Sequence, residues 1–119
     1  MKKILIVDDD KDLLAIMETI LDLEGYQIET LADGGTFAAK MILFKPDLIL
    51  LDVMLGKFDG RILCNALKAT IQKYIPVIII SATHDLKSML AASCKPDDYL
   101  AKPFDIQNLI DKVKNQIYH

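Results

Sequence analysis

Ile4-Leu5-Ile6-Val7-Asp8-Asp9-Asp10 sets four uninterrupted apolar residues directly before three carboxylates. A strand with one wet face alternates apolar and polar residues. A continuous apolar run instead suits a strand covered on both faces, as in parallel sheets. The pattern returns in Leu48-Ile49-Leu50-Leu51-Asp52 and in Val77-Ile78-Ile79-Ile80-Ser81. A weaker, alternating strand is expected over Gln27–Leu31 and a last one over Asp98–Ala101.

Helical patterns separate these runs. Asp12–Leu23 places Leu13, Leu14, Ile16, Met17, Ile20 and Leu21 at helical spacing, and Gly25 stands where a helix-ending glycine belongs. Thr36–Phe44 reads as a helix stopped by Lys45-Pro46. Further helices are expected from about Gly60 to Gln72, over Leu86–Ala92, and over Ile106–Tyr118. In the last, Ile106, Leu109, Ile110, Val113 and Ile117 form a stripe expected to be core. Parallel strands require crossovers, and a helix in each gives a doubly wound α/β domain of five strand–helix units. No repeat or linker interrupts the pattern, so residues 1–119 are expected to form one domain.

Composition agrees. The 119 residues are 52% hydrophobic with a net charge of −3, which excludes a disordered chain. Lys and Arg are scattered and the densest charge run is acidic, so no direct nucleic-acid surface is expected. No apolar stretch approaches the ~18 residues of a membrane span. Asp8 ends the first apolar run too early for a leader peptide. Cys64 and Cys94 are too few and too far apart for a disulfide scaffold or zinc site, and a cytoplasmic setting is expected.

Ligands of open parallel sheets bind beyond the C-terminal ends of the strands. There the chain places Asp8 and Asp9, Asp52, Ser81, and Lys102 followed by Pro103. Three carboxylates on one rim repel one another unless a counter-charge is supplied. A hard divalent cation, Mg²⁺, suits carboxylate oxygens plus a phosphate. Lys102 suits a phosphoryl oxygen, Ser81 can donate to another, and an aspartate beside the cation can attack phosphorus to form an acyl phosphate. Asp10 is expected to cap the first helix.

These residues sit in four motifs: Ile4 to Asp10; Pro46-Asp47-Leu48-Ile49-Leu50-Leu51-Asp52-Val53-Met54-Leu55 with Asp59-Gly60; Val77-Ile78-Ile79-Ile80-Ser81-Ala82; and Asp97-Asp98-Tyr99-Leu100-Ala101-Lys102-Pro103-Phe104. In this order and spacing the chain resembles, over its entire length, the receiver domain of two-component response regulators, of the chemotaxis-regulator kind. The resemblance implies a flavodoxin-like five-stranded sheet of order 2-1-3-4-5. It implies that Asp52 accepts the phosphoryl group and that Asp9, Asp8 (mainly through water), Asp52 and the Met54 carbonyl hold Mg²⁺. It also implies that Ser81 and Lys102 bind the phosphoryl group, that Tyr99 changes rotamer with the switch, and that the Lys102–Pro103 peptide is cis.

The implied role is a signalling switch, an enzyme only toward its own Asp phosphorylation and dephosphorylation. Its output is the surface of the fourth helix, fifth strand and fifth helix. The implied partners are a sensor histidine kinase or phosphotransfer protein, an effector domain or target protein, and a second copy on phosphorylation. In receivers the residues two past the acceptor and two past the serine, here Met54 and Thr83, flank the hydrolytic water. Met54 cannot orient a water, so slow decay of the phosphorylated state is expected. Three features depart from the family: Gly56 where proline is usual, suggesting a looser loop, Lys95-Pro96 before Asp97, and spacings about one residue short around Ser81.

Two other readings compete. Asp8-Asp9-Asp10 fits the Asp-x-Asp pattern of haloacid-dehalogenase-type phosphatases, with Asp8 as nucleophile, although Lys11 and Asp12 do not fit its continuation. A flavodoxin-like mononucleotide binder would need a donor-rich loop after the first strand, which three aspartates oppose.

Overall fold

The computed structural model describes residues 1–52, 54–55, 58–59, 74–82 and 97–118. The strands are β1 (Lys3–Val7), β2 (Gln27–Leu31), β3 (Leu48–Asp52), β4 (Met54–Leu55), β5 (Phe58–Asp59), β6 (Val77–Ala82) and β7 (Asp98–Lys102). The helices are α1 (Lys11–Leu23), α2 (Phe37–Phe44) and α3 (Ile106–Ile117). Five strands form one sheet in the order β2-β1-β3-β6-β7, and every pairing in it is parallel. This is the expected 2-1-3-4-5 arrangement. The helices expected over 60–72 and 86–92 lie outside the described residues, as do Cys64, Thr83 and Cys94.

The period of two along each strand divides the core. Leu5, Val7, Ile49, Leu51, Val77 and Ile79 pack with Phe37, Met41 and Phe44 of α2. Ile4, Ile6, Leu48, Leu50, Ile78, Ile80 and Leu100 pack with Leu14, Met17 and Leu21 of α1 and Leu109 and Val113 of α3. Both faces of β1 and β3 are therefore dry, which is why their sequences do not alternate.

Local chemistry fixes the helix ends. Asp10 caps α1, its carboxylate accepting from the backbone N–H of Asp12 at 3.0 Å and of Leu13 at 3.1 Å. At the other end Gly25 takes φ +93°. Gly25 N–H donates to Asp22 C=O and Tyr26 N–H to Leu21 C=O, the paired bonds of a Schellman ending. No atom lies within 4 Å of a Cβ built on Gly25, so the requirement for glycine is purely one of backbone conformation. Asp105 caps α3 through Asn108 N–H at 2.6 Å. Asp105→Ala is expected to cost ~1 kcal/mol, read as a lower urea midpoint. An unchanged midpoint would show that the cap contributes nothing to stability.

One expectation needs correction. The α3 stripe is core only in part: Leu109 and Val113 are buried, but Ile106, the first residue of the helix, is 58% exposed. Gly56 lies outside the described residues; on either side of it β4 and β5 pair antiparallel, Met54 with Asp59 and Leu55 with Phe58.

Candidate functional site

Register assembles the rim. Val7 pairs with Leu51, so Asp8 follows level with Asp52. Asp52 pairs with Ile80, which leaves Ser81 one residue further out. Ala82 pairs with Lys102, one residue beyond that. The lysine side chain is long enough to lean back across β6. Its Nζ lies 3.1 Å from Asp8 Oδ2 and 3.5 Å from Asp52 Oδ2. By strand alternation Asp8, Asp52 and Lys102 share the parity of the α1–α3 face. Ser81 and Tyr99 share the parity of the α2 face, where Tyr99 packs half-buried against the core.

Asp8, Asp52 and Ser81 are the buried polar residues of the described chain. Such groups are costly unless paired. Asp8 Oδ1 accepts from Asp10 N–H at 2.9 Å. Asp8 Oδ2 has the Lys102 ammonium nearby but no aligned hydrogen-bond donor among the described residues. Burial pulls the Lys102 ammonium toward neutrality. The Asp8 carboxylate and then Asp52 outweigh it, so its pKa stands above the ordinary lysine value.

Oxygens of Asp8, Asp9 and Asp52 lie within 4.8 Å of one another, with Asp9 exposed to solvent. One ammonium against three carboxylates leaves net negative charge, and Asp8 Oδ2 still lacks an aligned donor. A hard oxygen-seeking dication fits that donor set. The Lys102–Pro103 peptide is cis.

A family model for the response regulator receiver domain matches residues 4–114. The chain belongs to this family. The DNA-binding dual master transcriptional regulator RpaA of Synechocystis is 34% identical over 116 residues, covering 96% of this chain and 48% of that protein. The chain thus spans about half the length of the curated relatives it matches. A two-component response regulator from Clostridium difficile superimposes with a TM-score of 0.91 at 30% identity, covering 100% of this chain and 98% of that one. The receiver domain of a Pseudomonas aeruginosa sensor histidine kinase, solved with magnesium coordinated in its active-site cleft, gives a TM-score of 0.88 at 27% identity over 99% of this chain and 98% of that one.

Function follows at the level of the family: this is a receiver domain of two-component signalling, with an aspartate switch. These relatives lend no support to a dehalogenase-type phosphatase. Among the described residues, no helix is long and apolar enough to cross a membrane.

Reading the sequence missed the exposed apolar edge of α1. Leu14, Met17 and Leu21 are buried, while Ile16 is 53% exposed. The signal was present: Leu13, Leu14, Ile16, Met17, Ile20 and Leu21 cover about 160° of the helix circumference, wider than the roughly 100° stripe one core contact needs.

Proposed function

We infer that Asp52 is the phosphoryl acceptor of this receiver domain. The observation that carries the reading is a buried Asp52 carboxylate level with Asp8, with the Lys102 ammonium 3.5 Å away at the C-terminal rim. Asp8, Asp9, Asp52 and the Met54 backbone carbonyl would hold Mg²⁺, which supplies positive charge for the donor phosphate and the crowded carboxylates.

In the transfer, an Asp52 oxygen attacks phosphorus. The bond from phosphorus to the donor, a phospho-His nitrogen or the oxygen of a small phosphodonor, breaks with its electron pair on the donor atom. Lys102 pairs with a phosphoryl oxygen as charge shifts toward it. The Ser81 hydroxyl donates to another. Moving Ser81 frees space on its own face of the sheet, and Tyr99 turns into it. A two-state surface of the fourth helix, fifth strand and fifth helix is thereby biased.

The domain catalyses only its own phosphorylation and dephosphorylation, in the cytoplasm. Its partners are a sensor histidine kinase or phosphotransfer protein upstream, and an effector domain, a target protein or a second copy downstream. It makes no direct contact with nucleic acid.

The test is incubation with acetyl phosphate and Mg²⁺, followed by intact mass. One phosphoryl group per chain is expected, with none after chelation of the metal. Incorporation that ignores chelation would overturn the metal assignment. Met54→Asn adds an amide able to orient water beside the acceptor. Several-fold faster loss of the label is expected, and unchanged decay would remove Met54 as the cause of a long-lived state.

A further inference from the structure

The sequence of α2, Phe37-Ala38-Ala39-Lys40-Met41-Ile42-Leu43-Phe44, contains a single polar residue. Phe37, Met41 and Phe44 pack into the core. Ala38, Ala39, Ile42 and Leu43 occupy an arc of about 140° on the opposite side of the helix. All four are exposed, Ile42 at 65% and Leu43 at 80%. A surface helix ordinarily turns polar residues to water, and one that is apolar nearly all round belongs where both sides are covered. Lys40 is turned to Glu29 of β2 at 3.3 Å and leaves the outer arc without a charge.

The C-terminal end of the arc is basic. Lys45 follows α2 directly. The Lys3 ammonium reaches Phe44 C=O at 3.3 Å, and the Lys3 N–H donates to Asp47 Oδ2 at 2.8 Å, which brings Lys2 to the same corner. Lys2 and Lys45 are exposed, and neither has a carboxylate partner among the described residues. Lys45 also holds φ +54°, the left-handed conformation that glycine takes without steric cost. A cation after a helix commonly serves its last carbonyls, but the Lys3 ammonium already does so. A lysine kept in that conformation points to a use for its charge outside the fold.

Together these observations specify one occupant. We propose that the outer face of α2 docks a short acidic amphipathic helix of a partner protein. The apolar side of that helix rests on Ile42 and Leu43, and the two alanines let its backbone come close. Its carboxylates pair with Lys45 and Lys2. A second copy of this chain brings lysines to the corner but no free carboxylate, since Glu29 and Asp47 are already engaged. An anionic lipid surface meets a chain of net charge −3, and two alanines offer little to insert. The helix is only about 12 Å long, so the contact is a weak, transient one. Because α2 lies across the sheet from α1 and α3, docking here does not depend on which residue accepts the phosphoryl group.

The experiment titrates the isotope-labelled full chain, followed by amide NMR, with a helical peptide of about 16 residues carrying leucines on one side and glutamates at its flanks. A second peptide carries lysines in place of the glutamates. The acidic peptide is expected to bind with a Kd on the order of 100 μM, with the largest shifts in α2 and at Lys45. The basic peptide is expected to bind at least roughly tenfold more weakly. Leu43→Gln should weaken the acidic peptide about fivefold, and Lys45→Gly about threefold. Lys45→Gly also removes the backbone strain, so its urea midpoint is expected to rise. Weaker binding by a more stable chain cannot come from unfolding. The proposal is overturned by the absence of shifts at ~1 mM peptide, by shifts centred away from α2, by equal affinity for the two peptides, or by unchanged affinity in both variants. Shifts in α2 that follow the concentration of the chain alone would give the face to a second copy. Sedimentation with phosphatidylglycerol vesicles in place of peptide binding would give it to lipid. Either result also overturns the proposal.

Discussion

Asp52→Asn is expected to reduce incorporation from acetyl phosphate to background. The substitution keeps the size and planarity of the side chain but replaces a carboxylate with a neutral amide, a far weaker nucleophile toward phosphorus. Lys102 and Ser81 remain, so a donor can still bind but has no oxygen to accept the phosphoryl group. Because oxygens of three carboxylates converge within 4.8 Å, removing one charge also relieves repulsion. The unfolding midpoint without Mg²⁺ is therefore expected to stay level or rise, which separates lost chemistry from lost structure. Asp8→Asn is the companion: under a dehalogenase-type mechanism it would be the variant that loses covalent label. Label persisting in Asp52→Asn at another carboxylate would sink the acceptor assignment.

Lys102→Ala is expected to cost about 2–3 kcal/mol of stability in the absence of divalent cations. Asp8 is fully buried and Asp52 nearly so, and taking the cation from a buried pair leaves an uncompensated charge. The lysine side chain is itself 28% exposed, which brings the loss below that of a fully buried pair. The informative part is the response to Mg²⁺. A cation that binds only the folded carboxylate cluster stabilises by mass action, and the variant has lost the competing ammonium. Saturating Mg²⁺ should therefore restore more stability to Lys102→Ala than it adds to the unmodified chain. Urea denaturation with EDTA and with Mg²⁺ measures both differences. An equal Mg²⁺ increment in the two proteins would show that Lys102 and the cation do not act on the same carboxylates.

Most of the sheet was legible because its signal is local. The runs ending at Val7, Leu51 and Ile80 had only one dry environment open to them, and β1, β3 and β6 occupy it. Asp8, Asp52 and Lys102 could be predicted to share a rim, because each stands at the C-terminal end of its strand or one residue past it. What could not be read was any dependence on how neighbouring elements end. Ile106 repeats the helical period of Leu109 and Val113, yet it opens the helix and meets solvent. The pairing of Met54–Leu55 with Phe58–Asp59 was not legible either. Two residues on each side carry too little pattern to announce a hairpin.

The sheet is one backbone thick at the rim, with Asp8, Asp52 and Lys102 on one side of it by alternation and Ser81 and Tyr99 on the other. The fifth helix, α3, packs on the acceptor side, so a listener that grips α3 shares ground with a donor arriving there. Recharging would then wait for the listener to leave, and the duty cycle would be set by exchange of partners.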